Sequence, residues 1–263
     1  MRVFVTGGTG FIGKPLVREL RKRKHTVKLL AHDLELLDAI EKDLISFKPN
    51  AVIHLAWEGI PNLSAKKSRK NQEMSIQFLK LLAALKIKKV IVAGTCWQHG
   101  GADKKHAVFV RAKNAIRDKG KKIIEHGGGI FIWTYPFFVY GPGKRSGSLI
   151  SSLINDAKKG KIPTPKEAQA RHDFVYVEDV ARAFCTILEK TTESSECDIG
   201  SGVLTQTAYI AQHIAHAFKL PIIKVPTSHT AEQKARLTAL KRFGWRPHID
   251  IRAGVSKTIQ SQR

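Results

Sequence analysis

The first thirteen residues constrain this chain more than any other stretch. Val3, Phe4 and Val5 form the short apolar run that a buried parallel strand requires, and Gly7-x-x-Gly10-x-x-Gly13 follows directly. Leu16, Val17 and Leu20 then share one side of a helical pattern. Strand, glycine turn and helix, in that order, make a glycine motif a candidate dinucleotide site. The reason is steric. Without a Cβ the chain turns tightly and its backbone can approach a pyrophosphate. The helix that follows aims unpaired N–H groups and the positive end of its dipole at the phosphates. The plain alternative is a glycine-rich turn with no ligand; the flanking strand and helix weigh against it.

The chain has 263 residues, 43% of them hydrophobic, which suits one large α/β domain or one domain with a small appendage. No run approaches the length of a membrane span. Because the N-terminus reads as a core strand, no signal peptide is expected, and the expected location is cytoplasmic. Cys96, Cys185 and Cys197 are far apart and odd in number, as reduced thiols would be, and the histidines show no metal-ligand spacing. The net charge of +23, from 45 Lys and Arg against 22 Asp and Glu, raises polyanions as partners. The lysines are dispersed over nearly every helical stretch, with no aromatic-interleaved basic strip, so neither specific nucleic acid nor a membrane is the expected partner.

The wording Thr6-Gly7-Gly8-Thr9-Gly10-Phe11-Ile12-Gly13 resembles the extended short-chain dehydrogenase/reductase family, the NAD(P)-dependent epimerases and dehydratases of sugar nucleotides. That resemblance implies an α/β fold, a Rossmann-like doubly wound parallel sheet with a small C-terminal substrate region. Residues 1–141 would be mainly dinucleotide-binding and 142–263 mainly substrate-binding, within one compact unit. It also implies NAD or NADP over Gly7, Gly8, Gly10, Phe11, Ile12 and Gly13. The substrate would be a nucleotide-activated sugar, a deoxysugar or a cell-surface polysaccharide precursor.

Such folds place an acid at the end of the second strand, about twenty residues past the glycines, to hold the ribose. That position falls near Ala31, which is uncharged. Asp33-Leu34 resembles instead the Asp-Leu that ends the family's third strand at the adenine. Lys48 to Trp57 resembles the family's fourth strand, implying that Leu55 and Ala56 flank the cofactor. No room remains for another strand–helix pair. One βα unit is therefore expected to be missing, and the ribose carboxylate with it unless Asp33 or His32 takes over; NAD and NADP stay undistinguished.

The reaction end departs further. Thr95 takes the place of the hydroxyl that bonds the reacting oxygen, although an ordinary strand-end threonine would look the same. His99 stands where the family has a tyrosine. The family's Tyr-x-x-x-Lys puts a proton-transferring phenol and a lysine on one helix face. Here that pair is Phe109 and Lys113, and Phe109 has no hydroxyl. Acid–base work then falls to Thr95, His99, His106 or a water, or the chain is an impaired member kept for binding or assembly.

Trp57 resembles a subgroup acting on deoxysugar nucleotides. In the stretch from Arg171 to Ala181, His172 occupies the place of the family's diphosphate-binding arginine, with Arg171 one residue early. Both, with Trp57, are implied substrate contacts. Asp179 and Thr205 are expected to cap helices. Met74, Phe78, Leu81, Leu82 and Leu85 form an apolar stripe suited to core or subunit contact. Family members often pair two such helices, which points to a homodimer through about 64–86 and 111–126.

Overall fold

The computed structural model of the chain describes residues 1–60, 63–101, 104–143, 147–223 and 233–262. The first half alternates strictly: β1 (Arg2–Thr6), α1 (Gly13–Lys22), β2 (Thr26–Leu29), α2 (Leu37–Phe47), β3 (Ala51–His54), α3 (Ala65–Ala84), β4 (Lys89–Ala93), α4 (Ala107–His126) and β5 (Ile130–Pro136). The second half holds β6 (Phe138–Tyr140), α5 (Leu149–Lys158), β7 (Arg171–Tyr176), α6 (Val177–Lys190), β8 (Ser195–Ile199), β9 (Leu204–Gln206), α7 (Thr207–Ala217), α8 (Thr238–Arg242) and α9 (Ile251–Gln260). Six strands form a parallel sheet in the order β2-β1-β3-β4-β5-β8. β6, β7 and β9 make a smaller one.

Helices cover both faces of the large sheet, as the continuous apolar strands demand. Val3, Val5, Leu16, Leu20, Phe184 and Leu188 pack on one side. Phe4, Val52, Phe78, Leu82, Ile116 and Trp133 pack on the other. A third cluster, including Tyr140, Ile154, Tyr176, Ile214 and Val255, fills the C-terminal part.

The sheet departs from the usual doubly wound order in one place. That order carries two strands outside the first; here β2 alone lies outside β1, with Val3 opposite Val27. The loss of one βα unit is thus visible as a missing edge strand. β2 pairs straight onto β1 and fills the second-strand place, with Asp33-Leu34 a few residues past its end. The chain reverses direction across the sheet between β1 and β3, and ligands of open α/β sheets lie at such switch points.

Three local readings also change. Asp179 lies in the first turn of α6 but does not cap it; its buried oxygens accept the N–H groups of His248 and Ile249, both at 3.0 Å, pinning the C-terminal segment. Thr205 sits in β9 opposite His172, and no side chain caps α7. The buried stripe of α3 is Ser68, Asn71, Ser75, Phe78, Leu79 and Leu82, so Met74 lies off it. An apolar pattern missed that face because its site-proximal half is polar. Asn71 accepts the Glu58 N–H at 2.8 Å, and Ser75 meets His54 at 3.0 Å.

Candidate active site

The glycine loop is closed by contacts only glycine permits. Gly7 has φ +67°, in the left-handed region, and a Cβ there would lie 2.8 Å from the Ala56 nitrogen. A Cβ on Gly13 would lie 2.1 Å from the Gly7 carbonyl oxygen. Gly10 donates to that same carbonyl at 3.0 Å. Gly10 is exposed, and its missing Cβ would meet nothing nearer than the Gly7 oxygen at 3.1 Å. The loop thus has one glycine for the turn, one facing outward for close approach, and one for packing helix against strand, the three roles a dinucleotide fingerprint demands. Phe11 and Ile12, both half-buried, lead into α1, where the Lys14 N–H returns to the Gly10 carbonyl at 3.0 Å and the Leu16 N–H to that of Ile12 at 3.1 Å.

Leu55 and Ala56 lie directly against Gly7. They are held by Thr6, whose carbonyl accepts the Leu55 N–H at 3.2 Å and whose hydroxyl accepts the Ala56 N–H at 3.2 Å. Thr6 Oγ1 in turn meets His54 Nδ1 at 2.7 Å. Burial, reinforced by the Lys113 charge, pushes the His54 pKa down to about 3, so a neutral imidazole braces the crevice. Past the end of β2, Asp33 is exposed and Leu34 packs against the core. His32 lies 3.8 Å from Asp43 of α2.

Phe109 and Lys113 sit one turn apart on the buried face of α4. The Phe109 ring meets Trp57 edge-on at 5.2 Å and Trp97 edge-on at 6.1 Å. Trp97 stacks on His106 at 4.4 Å. Lys113 is 7% exposed. Its Nζ donates to the Ala93 carbonyl at 2.7 Å and lies 4.0 Å from the Trp57 ring centre. Burial lowers its pKa to about 7. This wall therefore sets aromatic carbon beside a buried amine. Thr95 follows β4 by two residues and caps a short 3-10 turn, Cys96–His99. Its hydroxyl accepts the Trp97 N–H at 3.4 Å. Burial raises the Cys96 thiol to about 12, which disqualifies it as a nucleophile at neutral pH.

Arg171 and His172 open β7, far along the chain. The His172 ring stacks on Phe138 at 4.1 Å. Asp173 beside them is fully buried and accepts from Ser201 N, Ser201 Oγ, Gly202 N and Ala235 N at 2.6–3.0 Å. It thereby ties the loop after β8 to the segment before α8. Sequence reasoning did not single out this anchor, since its partners lie 28 to 62 residues away. Among the described residues no group of three or more His, Cys, Asp or Glu could hold a metal, and no helix is long and apolar enough to cross a membrane.

A family model for NAD-dependent epimerases and dehydratases matches residues 3–200. The chain belongs to the NAD-dependent epimerase/dehydratase family. CDP-abequose synthase of Salmonella muenchen is 23% identical over 286 aligned positions, covering 98% of this chain and 97% of that one. GDP-L-fucose synthase of Sinorhizobium fredii is 24% identical, covering 99% and 95%. Among solved structures, Thermus thermophilus UDP-glucose 4-epimerase in complex with NAD superposes with a TM-score of 0.80 at 22% identity, covering 99% and 98%. The Bordetella bronchiseptica enzyme WbmF in complex with NADH gives 0.87 at 19%, covering 99% and 91%.

Proposed function

We propose that this chain binds NAD or NADP and acts on a nucleotide-activated sugar as an epimerase, dehydratase or reductase. The observation that carries the reading is the glycine loop, whose closure leaves no room for a Cβ at Gly7 or Gly13 and leaves Gly10 facing outward. Gly7, Gly10, Phe11, Ile12 and Gly13 would cradle the pyrophosphate, with Leu55 and Ala56 alongside and Leu34 toward the adenine. Asp33, the first carboxylate past β2, is the group available to the adenosine ribose. Lys113 would hold the nicotinamide ribose. When bound, the cofactor supplies a hydride acceptor or donor.

The nucleotide sugar is supported by the relatives, whose names all carry CDP-, GDP- or dTDP-linked sugars. Arg171 and His172 would meet its diphosphate, Trp57 its sugar side and Thr95 the reacting oxygen. A cytoplasmic location fits such a substrate. Pairing of α3 and α4 with a second copy would make a homodimer. The exposed surface of these helices carries Lys66, Arg69, Lys80, Lys119, Lys121 and Lys122 against Glu73, Asp118 and Glu125. Like charges would therefore weaken that pairing at low salt.

Fluorescence titration with NADH and NADPH, followed by chromatography of UDP-, CDP-, GDP- and dTDP-hexoses after incubation, tests the reading. Cofactor binding and conversion of at least one sugar are expected. Absence of binding at millimolar cofactor overturns it. Cofactor binding without any conversion favours the impaired member that Phe109 suggests.

A further inference from the structure

Four stretches remote in sequence meet: the exit of β4, the end of β5, strand β8 and the segment before α8. His99, Tyr135, Glu196, Asp198, Lys234 and Arg236 line a cavity of about 530 Å³ there. That volume lies within the usual range of a small-molecule site. Asp198 is 9% exposed and held on both oxygens. Its Oδ1 meets His99 Nε2 at 2.8 Å, and its Oδ2 accepts the Arg236 N–H at 2.7 Å. The carboxylate therefore fixes the imidazole with its proton on Nε2. Among the described residues Nδ1 has no hydrogen-bond partner, and the side chain stays 35% exposed. One face of the ring packs on Tyr135 at 4.3 Å. Tyr135 is itself locked, donating to Glu196 and accepting from Arg117 Nη1 at 3.0 Å. The His99 carbonyl is tied by the Gln233 amide. An imidazole oriented by a buried carboxylate, with its second nitrogen open to a cavity, is the arrangement of a general base and its orienting group.

We propose that His99 is the proton-transfer residue of this enzyme and that the sugar ring occupies this cavity. The inference rests on the nucleotide-sugar reading above. His99 Nδ1 takes the proton of a sugar hydroxyl: the O–H bond breaks, an N–H bond forms, and the electron pair stays on oxygen. The same nitrogen returns the proton in the reverse sense. Asp198 is a positioning residue, acting through the ring it holds. Lys234 and Arg236 add positive charge to the cavity wall, which suits an anionic nucleotide sugar whose diphosphate lies toward Arg171 and His172. Thr95 and His99 flank one 3-10 turn, the first as its cap and the second as its last residue. Nothing at Phe109 can do this work; the cavity offers a group that can.

The test uses the full chain labelled with nitrogen-15 at histidine, with His99→Gln to assign the signal. Glutamine can still donate to Asp198, so the variant should fold and bind NADH like wild type. UDP-, CDP-, GDP- and dTDP-glucose are added in turn at millimolar concentration. At least one should move the His99 Nδ1 signal. Asp198→Asn should shift the His99 tautomer balance without loss of NADH binding. Turnover of the sugar converted should fall about 100-fold or more in His99→Gln, with KM changed only a few-fold. A His99 signal unmoved by all four sugars overturns the proposal, as does His99→Gln turnover near wild type. NADH binding recorded on the same samples separates the cases: if wild type itself fails to bind, the functional reading has failed.

Discussion

The β1–β3 crevice and the α4 wall meet different kinds of demand. In the crevice the demands are steric and local: a Gly7 turn, a Gly13 with no room for a side chain, and an outward Gly10. Any chain that closes this loop must carry glycine at fixed spacing, so the requirement is written in consecutive letters. At the wall the demand is chemical. A proton must be held near a hydroxyl, and several side chains can do that from different elements. The crevice keeps its three glycines at the required spacing, while the wall has Phe109 where a phenol is expected, and the pair His99 with Asp198 is assembled from β4's exit and β8. Steric requirements constrain sequence more tightly than acid–base requirements do.

Substituting within the loop breaks this contrast most severely. Gly13→Ala puts a methyl 2.1 Å from backbone, which no rotamer relieves. It should destabilise the protein by about 3 kcal/mol in urea unfolding. It should also weaken NADH binding by about 100-fold. Gly10→Ala, with only a 3.1 Å contact, should cost less than about 1 kcal/mol of stability yet still weaken NADH binding. Equal effects on folding from both would mean the loop is merely a packed turn.

The next effect is on stability as a function of pH. Lys113 is lowered from its usual 10.5 to about 7 by burial. From about 7 upward the unfolded chain binds the extra proton, so stability should rise with pH from about 7 to about 9, above which the buried thiols of Cys96, Cys185 and Cys197, raised from their ordinary 9.0 by burial, act with the opposite sign. His54, lowered from 6.5 to about 3 by burial and the Lys113 charge, gives the same sign between about 3 and 6.5. Stability is then lost as pH falls through that window. Denaturant melts across pH should register a gain of roughly a few kcal/mol over the upper window, and Lys113→Met should flatten it. A wild-type profile that is flat between about pH 7 and 9 would mean the amine is solvated, and the wall open.

Phe109→Tyr sharpens the comparison from the other side. With His99 moving the proton, and with Trp57 and Trp97 packed on the ring, turnover should change less than about tenfold. A rise of about 100-fold or more in steady-state turnover would show that the phenol's place is still functional. The smallest effect concerns assembly. Sedimentation should show self-association tightening a few-fold as salt screens the lysines of α3 and α4.

The alternation of strands and helices, the missing βα unit and the loop's residues were legible from the sequence because periodicity and steric necessity leave local traces. Helix ends were less so. Asp179 reads as a cap and serves instead to hold His248 and Ile249, a contact across some seventy residues. The buried face of α3 escaped the apolar pattern because Asn71 and Ser75 serve Glu58 and His54. His99 stood out only as a substitution for a tyrosine. Its partner Asp198 and the Tyr135–Glu196–Arg117 lock left no local signal, since each joins strands or helices far apart in the chain.

The central claim is that the loop's amides grip a dinucleotide pyrophosphate. Backbone amide NMR during an NADH titration tests it most directly. The largest shifts should fall on Gly7, Gly10, Ile12 and Gly13, saturating with the fluorescence change. Saturable NADH binding that leaves those four amides unmoved, or no binding at all, would contradict it.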